Sequence, residues 1–306
     1  MHDIQALTDS FANSASRFGL TINIQKTEVM FQPAPGKAYS DPQVNINGVS
    51  LKPVSQFCYL GSTLSNDALL DKEITNRISK ASSSYGMLSD RVWKQHGIKT
   101  LTKVSVYKAV VLSNLLFGCE TWTCYRRHIK QLEQFHMRHL RAILKIKWQD
   151  KISNIEVLER SRCSSIEAMI ISAQLRWVGH VVRMADDRIP KQLLYGELAQ
   201  GKRSHGGQKK RFKDTLKHNM IKCNIDPSSF EALAADRPMW RRSVKNNTML
   251  FERKRCEEAI SKRLIRKQNQ SQMVPMTSLS DFACMHCGKD CHSRIGLFSH
   301  SRKHRI

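Results

Sequence analysis

The apolar positions of this chain change period along its length. Ile4, Leu7, Phe11, Ala15 and Phe18 recur at helical spacing, and Gly19 follows as a natural stop. Leu20, Ile22 and Ile24 then alternate, QKTE makes a connection, and Val29 and Phe31 resume the alternation of a strand. Short strands are predicted in VNINGV, with Asn47-Gly48 as its turn, and in VSQFCYLGSTL. From Leu70 the period becomes helical: Leu70, Ile74, Ile78, Ala81, Tyr85, Leu88 and Val92 mark one long helix facing a core. Further helices are predicted at about 101–117, 127–145, 153–160, 165–184, 208–222 and 248–267. Ser153-x-x-Glu156 and Ser164-x-x-Glu167 have capping-box form and mark two of the starts.

The pattern predicts a mainly α protein with a short α/β opening (1–66), a helical middle (67–195), a basic helical region (196–275) and a small terminal unit (276–306). GKRSHGGQKKRFK at 201–213 reads as a linker, with Gly206-Gly207 inside a basic run. No internal repeat is visible. The longest apolar stretch, around VVLSNLLFGC, is shorter than the ~18 residues of a membrane span and reads as a buried helix. The N-terminus is amphipathic rather than leader-like. These features predict a soluble intracellular protein without a membrane partner.

Composition sharpens this. Hydrophobic residues make up 41% of the 306, enough for a buried core. Fifty Lys and Arg against 26 Asp and Glu give +24, unevenly spread. Residues 1–100 carry 10 basic and 8 acidic side chains, whereas residues 201–306 carry 24 and 9. The C-terminal third is thus directed at a polyanion, RNA and/or DNA, and no small-molecule substrate is indicated. Nine cysteines, an odd number and mostly scattered, predict reduced thiols rather than a disulfide framework.

The last three cysteines are different. Cys284, Cys287, His300 and His304 form C-x2-C-x12-H-x3-H, the spacing of a tetrahedral Cys2His2 site for Zn²⁺. Phe282 and Leu297 stand where such fingers keep core residues, and Cys291 where a third, usually Phe, would stand. Cys291, His286 and His292 are rival ligands, although a CCHC knuckle would need cysteine at 297, which is Leu. Zinc supplies much of the folding energy of so small a unit. The base-reading helix positions fall on Ser293, Gly296 and Ser299, which are poor readers. Arg294, Arg302, Lys303 and Arg305 suit phosphates.

Lys202, Arg203, Lys209, Lys210, Arg211 and Lys213 form one basic cluster beside Phe212. Arg253, Lys254, Arg255, Lys262, Arg263, Arg266 and Lys267 form a second, on a helix. Trp240 between basic residues reads first as a buried anchor and second as a stacking platform for a base. KKRFK has the form of a nuclear-import signal, so the nucleus is favoured over the cytoplasm. Asp186-Asp187 follows an amphipathic helix and precedes Arg-Ile-Pro, as a polar helix end rather than a catalytic turn. His136 and His139, lacking a third ligand, read as surface residues. No Gly-rich phosphate loop or Cys–His nucleophile is present, and no catalytic residue is assigned.

Longer stretches carry a resemblance. GLTINIQKTEVMF (19–31) resembles the palm segment of reverse transcriptases that follows the catalytic aspartates, and FCYLGSTLS (57–65) looks like the adjoining primer-grip hairpin. LLFGCETWTCYRRHIKQLEQFHMRHLRAIL (115–144) and LRWVGHVVRMADDRIPKQLLYGELAQGKRSHGGQKKRFKDTLK (175–217) resemble the thumb and C-terminal regions of LINE-type (non-LTR) retrotransposon polyproteins, which often end in one Cys-rich finger. The resemblance implies a short α/β remnant of a palm, a helical thumb-like region and a ββα zinc finger. It implies a polymerase-assisting role for Lys26, set against that of a solvated turn lysine. It also places Phe57, Tyr59, Leu60 and Gly61 in a primer grip. The family is RNA-directed DNA polymerase, but its aromatic-x-Asp-Asp turn is not in this chain, which therefore should not polymerise by itself. The expected function is zinc-dependent, largely non-specific nucleic-acid binding. The alternatives are one part of an active polymerase completed by upstream sequence, and a protein-interaction module. A palm remnant would also leave unpaired sheet edges, making residues 1–66 marginal alone.

Overall fold

A computed structural model describes residues 2–33, 38–196, 209–272 and 282–304. The protein is mainly helical with a few short strands, and it divides into two compact units, Met1–Lys254 and Arg255–Ile306. In the first unit, helix α1 (His2–Arg17) precedes six strands that pair two by two. β1 (Glu28–Val29) runs parallel to β4 (Lys52–Pro53), and β2 (Asn45–Ile46) antiparallel to β3 (Val49–Ser50). β5 (Gln56–Tyr59) pairs antiparallel with β6 (Ser62–Ser65), with Phe57 opposite Leu64 and Tyr59 opposite Ser62. Both hairpin turns take positive φ at their two central residues, Asn47 and Gly48 in one, Leu60 and Gly61 in the other. That geometry matches strand twist. Leu-Gly is the less usual pair, because a Cβ strains the left-handed region.

Two expectations for this opening are corrected. The alternation Leu20, Ile22, Ile24 does not form a strand: a 3-10 turn, Ile24–Lys26, follows irregular backbone, with Asn23 Oδ1 accepting from the Lys26 N–H at 3.1 Å. A side chain that satisfies the backbone locally competes with ladder pairing. The apolar stripe of α1 does form on a helix but faces outward, with Leu7 70% and Phe11 67% exposed. The helix docks instead through Gln5, whose amide exchanges two 2.9 Å hydrogen bonds with the Asn45 backbone in the manner of a neighbouring strand. Val44, Ile46 and Leu51 form the small core beneath it, with Ala12, Ile22, Ile24 and Val29 packed around.

The helical body follows. Helix α2 (Asp71–Met87) leads into a π turn, Ser89–Trp93. Helix α3 (Thr100–Val106) continues through a π segment, Tyr107–Leu112, into α4 (Ser113–Leu115). Then come α5 (Arg126–Ile143), α6 (Asn154–Ser161), α7 (Ile166–Val182) and α8 (Ile189–Tyr195). After the undescribed segment come α9 (Phe212–Lys222), α10 (Phe230–Ala235) and α11 (Arg237–Gln272). Two apolar clusters fill this body. Ile74, Tyr107, Leu115, Leu132, Leu140 and Val157 belong to the first, and Leu216, Met220, Cys223, Trp240 and Val244 to the second. Helix α7 supplies both, giving Ile166 and Ile170 to one and Ile171, Leu175 and Val178 to the other.

The start of α7 differs in detail from expectation. Its N-cap is Ser165, not Ser164: Ser165 Oγ accepts from the Ala168 N–H at 3.3 Å and donates to Glu252 at 2.6 Å. Glu252 also accepts from the Ser165 N–H at 2.9 Å, and Glu133 from the Ile166 N–H at 3.0 Å. Two carboxylates from α11 and α5 therefore meet the positive end of the α7 dipole. Glu167 is released from capping and instead bridges Arg126 (2.8 Å) and Lys222 (2.7 Å). Helix α11 begins well before residue 248. Asp236 Oδ1 accepts from the Met239 N–H at 3.1 Å as a cap, and Pro238 stands in the first turn. Helices α8 and α10 were not expected.

His136 and His139, read as surface residues, lie inside or half inside. His136 is fully buried, its Nδ1 3.0 Å from the Tyr107 hydroxyl. His139 packs against the Tyr85 and Phe135 rings and hydrogen-bonds the Phe135 carbonyl at 2.8 Å. The polar run around them hid the helix face they share with Leu132 and Leu140. Burial pushes the His136 imidazole from 6.5 down to about 4. The unfolded chain binds that proton near 6.5 and the folded chain only near about 4, so stability falls as pH drops through this window. Urea unfolding should show about 2 kcal/mol less stability at about pH 5 than at about pH 7.5. His136→Gln should flatten that slope, and an unchanged slope would show that His136 is not its source.

Gly179 in the middle of α7 answers to Trp240. The indole Nε1 donates to the Leu175 carbonyl at 2.9 Å, and a Cβ at residue 179 would sit 2.0 Å from that nitrogen. Gly179→Ala should therefore lower stability by about 1–3 kcal/mol, read from urea midpoints, because of overpacking. It does so although Ala gains about 1 kcal/mol in helix propensity. A stabilised variant would refute the contact.

Candidate metal centre and basic surfaces

The residues from Phe282 to His304 build a small site from backbone turns. Ala283 and Asp290 form a β-bridge, the Cys291 N–H donates to the Phe282 carbonyl at 3.1 Å, and the Cys284 N–H to the Lys289 carbonyl at 2.9 Å. Between them the Gly288 N–H bonds the Cys284 carbonyl at 2.7 Å, with Gly288 at φ +68°. This knuckle turns both cysteine side chains to one side. Helix α12 (Arg294–Ser301) starts at Ser293, whose Oγ accepts from the Gly296 N–H at 3.0 Å, and a 3-10 turn, Arg302–His304, ends it. His300 and His304, four apart, then share a face.

The structure brings Cys284, Cys287, His300 and His304 together, with one donor atom from each lying within 4.8 Å of all the others. Cys287 Sγ is 3.0 Å from His300 Nε2, and the two histidine Nε2 atoms are 3.2 Å apart. Donors around a four-coordinate ion at about 2.0–2.3 Å lie about 3.3–3.8 Å from one another, so shifts of about 1 Å or less, the close pairs spreading and the wide ones closing, complete the site. The cluster could hold a metal ion. The His286 N–H pulls the Cys284 thiol below its ordinary value; burial opposes this, and the Cys287 N–H and thiol outweigh it. A thiol biased toward thiolate is the form that binds metal.

The rival ligands are placed elsewhere. His292 pairs with Asp290 at 3.1 Å, His286 stacks on the His304 ring at 5.5 Å between centroids, and Cys291 is half-buried with its Sγ against the Lys289 carbonyl. Burial and the neighbouring Cys284 and Cys287 push the Cys291 thiol up. Phe282 and Leu297 are also half-buried, as a small core would require. Among the described residues no other group of three or more Cys, His, Asp or Glu side chains is set to hold a metal ion. Asp186 is exposed and paired with Lys191 at 2.7 Å, which holds its carboxyl below the usual range, and it joins no such group.

The basic residues divide by what they touch. Lys209 Nζ donates to the Asp67 carbonyl at 2.6 Å, and Lys210 Nζ to the Cys124 carbonyl at 3.3 Å while sitting over the Tyr125 ring. Carbonyls and, for Lys210, a ring orient these ammonium groups, and Lys209 also acts on the Asp67 carboxylate, whose acidity it raises. Arg211 is held bidentate by Asp214 at 2.9 Å. A cleft of about 420 Å³ beside them is lined by Arg126, Lys210, His218 and Lys222, but also by Glu167. Burial would raise the Glu167 carboxyl, but Lys222 and Arg126 hold it below the usual range. Lys213 stands at the rim of a more apolar groove. Lys202 and Arg203, with Gly206-Gly207, lie outside the described residues, as do Arg305 and the side chain of Lys303. Arg253, Lys254, Lys262, Arg263, Arg266 and Lys267 are exposed on α11, Arg255 is half-buried there, and Trp240 is buried.

The hairpin β5–β6 is clamped to α2. Glu73 accepts from the Thr63 N–H at 2.7 Å, Asn76 donates to Thr63 Oγ1 at 2.9 Å, and Arg77 and Lys80 both donate to the Gly61 carbonyl. The Glu73–Arg77 ion pair behind this is buried. Tyr59 and Leu60 stay exposed at the tip, 59% and 79%, and Phe57 lies at the border. Lys26 is exposed at the end of its 3-10 turn. No charge signal in the sequence pointed to the Glu73–Arg77 clamp; its i,i+4 spacing is common on solvated helices.

Comparison with known proteins finds a distant relative that is transposon-derived. An uncharacterized transposon-derived protein of Caenorhabditis elegans is 22% identical over 259 residues, covering 79% of this chain and 88% of that protein. No family model matches, and no solved structure matches. The similarity is consistent with a transposon origin. No helix among the described residues is long and apolar enough to cross a membrane.

Loading the chain with Co²⁺ tests the cluster. It should take up one ion per chain with the intense visible bands of a tetrahedral sulfur–nitrogen site, and Cys284→Ser and His300→Ala should each abolish those bands. Octahedral spectra would refute the proposed four-ligand set.

Proposed function

We propose that this chain is a piece of a LINE-type reverse transcriptase whose own activity is zinc-dependent, largely sequence-non-specific binding of RNA or DNA. The observation that carries the reading is the convergence of two thiols and two imidazoles on one point in a strongly basic C-terminal third. Sulfur and nitrogen donors in a tetrahedron favour Zn²⁺ over Mg²⁺ or Ca²⁺, which take oxygen. The ion orders the tail, and exposed cations on α11 and α12 then neutralise phosphates and release counterions. On this reading residues 1–66 are the palm remnant, 67–195 the thumb-like helices, 196–275 the basic region and 276–306 the zinc finger. Lys26 is there a leftover of polymerase chemistry, and this chain does not extend primers by itself. A nuclear location follows from KKRFK.

A second reading is favoured by one observation. The β5–β6 hairpin is clamped rigidly while its tip is exposed, as a primer grip should be, and this suits a polymerase completed by sequence before residue 1.

The deciding experiment is equilibrium binding of the zinc-loaded chain to labelled single-stranded RNA and duplex DNA across a salt series. Affinity should be about micromolar or tighter at low salt and fall steeply as salt rises, and Cys284→Ser should weaken it. Absence of binding at low salt would refute nucleic-acid binding and leave the helical body as a protein-interaction module.

A further inference from the structure

Resting on the nucleic-acid reading just given, we infer that the finger selects unpaired nucleotides, by stacking a base on Phe298. The argument begins with what helix α12 cannot do. A Cβ at residue 296 would lie 2.3 Å from the Cys291 carbonyl oxygen, so this position must be glycine for the helix to close on the knuckle. The central position from which such a helix reads a duplex base pair is therefore bare for structural reasons. Ser293, to its N-terminal side, spends its hydroxyl on the Gly296 N–H at 3.0 Å. Ser299 is too short for bidentate reading of a base edge.

The helix presents something else. Ile295 is 82% exposed and Phe298 62% exposed, three residues apart on one face. Leu297, between them in sequence, turns inward and is half-buried, so these two are not needed for the finger's core. Arg302 lies over the Phe298 ring, with its guanidinium carbon 5.0 Å from the ring centroid. That contact covers one face of the ring with a cation and leaves a base the exposed remainder, and Arg294 is exposed on the same helix. An accessible aromatic ring with a guanidinium on one face is an arrangement that captures single strands: a base stacks on the ring and phosphates meet the cation. Duplex DNA cannot use it, since its bases are already stacked on one another. An acidic protein segment would satisfy the arginines and the apolar pair, but the ring–guanidinium contact adds a flat polarised surface, which suits a base.

The test uses the zinc-loaded full chain and three labelled probes at fixed salt. These are a short single-stranded DNA, the same strand paired with its complement, and a strand of abasic sites that keeps the phosphates. Phe298→Ala should weaken the single strand about tenfold and the other two by less than about twofold, with Phe298→Trp restoring affinity. Metal content should be unchanged in both variants, which separates stacking from loss of the finger. If Phe298→Ala leaves all three probes unaffected, or weakens all three equally, the stacking proposal is overturned while salt-dependent binding by the unaltered chain still stands. If the unaltered chain binds none of them, the nucleic-acid reading fails first and this inference with it.

Discussion

Helix α7 is buried on two sides and leaves only a narrow strip, Arg176 and His180, to solvent. Ile166 and Ile170 close one apolar cluster, and Ile171, Leu175 and Val178 close the other, so the two clusters share a wall one helix thick. The first residues of the helix are buried as well, Ser165 and Ile166 among them, so water does not reach the N–H groups there. That is why Glu133 and Glu252 reach its first N–H groups from different helices. It also explains the polar floor within the wall. Gln174, fully buried, donates to the carbonyls of Cys119 and Trp122 and accepts from Asn219, tying the turn after α4 and helix α9 to α7. The missing side chain at Gly179 lets Trp240 share the Leu175 carbonyl, which brings α11 against the same wall. One helix thereby fixes the positions of most others in the first unit.

Much of this body could be read from period alone, because helices in contact with a core repeat their apolar residues. The bounds of α2, α5, α6, α7 and α9 lie within a few residues of where the pattern sets them. What could not be read depends on tertiary partners. Gly179 looks like a cost in a helix until Trp240, 61 residues later, is seen to need the space. His136 sits in a polar-looking run, and its burial against the Tyr107 hydroxyl depends on a partner 29 residues away. Asp236 and Pro238 did carry a legible start signal for α11, outweighed by the basic residues that follow. Helix α1 shows the opposite failure: a clear apolar stripe formed as a helix, but the docking went through Gln5.

The candidate site was more legible than the fold, for a physical reason. Metal donors in a unit this short must be close in sequence, so spacing alone selects Cys284, Cys287, His300 and His304. The choice against Cys291, His286 and His292 needed structure, since it turns on a carboxylate at Asp290, a ring stack and a half-buried position. The basic residues were the least legible. A lysine's charge is visible in sequence, but whether it is neutralised is not. Arg211 is held by Asp214, whereas Lys209 and Lys210 donate to main-chain carbonyls, which no charge pattern in the sequence announces.

That distinction sets how the chain would meet a polyanion. Carboxylates inside the body are mostly spent on helix ends and on internal cations, as with Glu133, Glu252 and Glu167. They are tied into the packing of the helices, although Glu167 and Asp214 still line the basic cleft. Between residues 253 and 267 of α11, six exposed Lys and Arg side chains share the stretch with two exposed carboxylates, Glu257 and Glu258. A field of this kind attracts any phosphate backbone and discriminates among none. Selectivity must therefore come from groups that recognise bases without relying on charge. Around the candidate metal centre the groups of that kind are the exposed apolar side chains of α12, Ile295 and Phe298, which are not among the four possible metal donors.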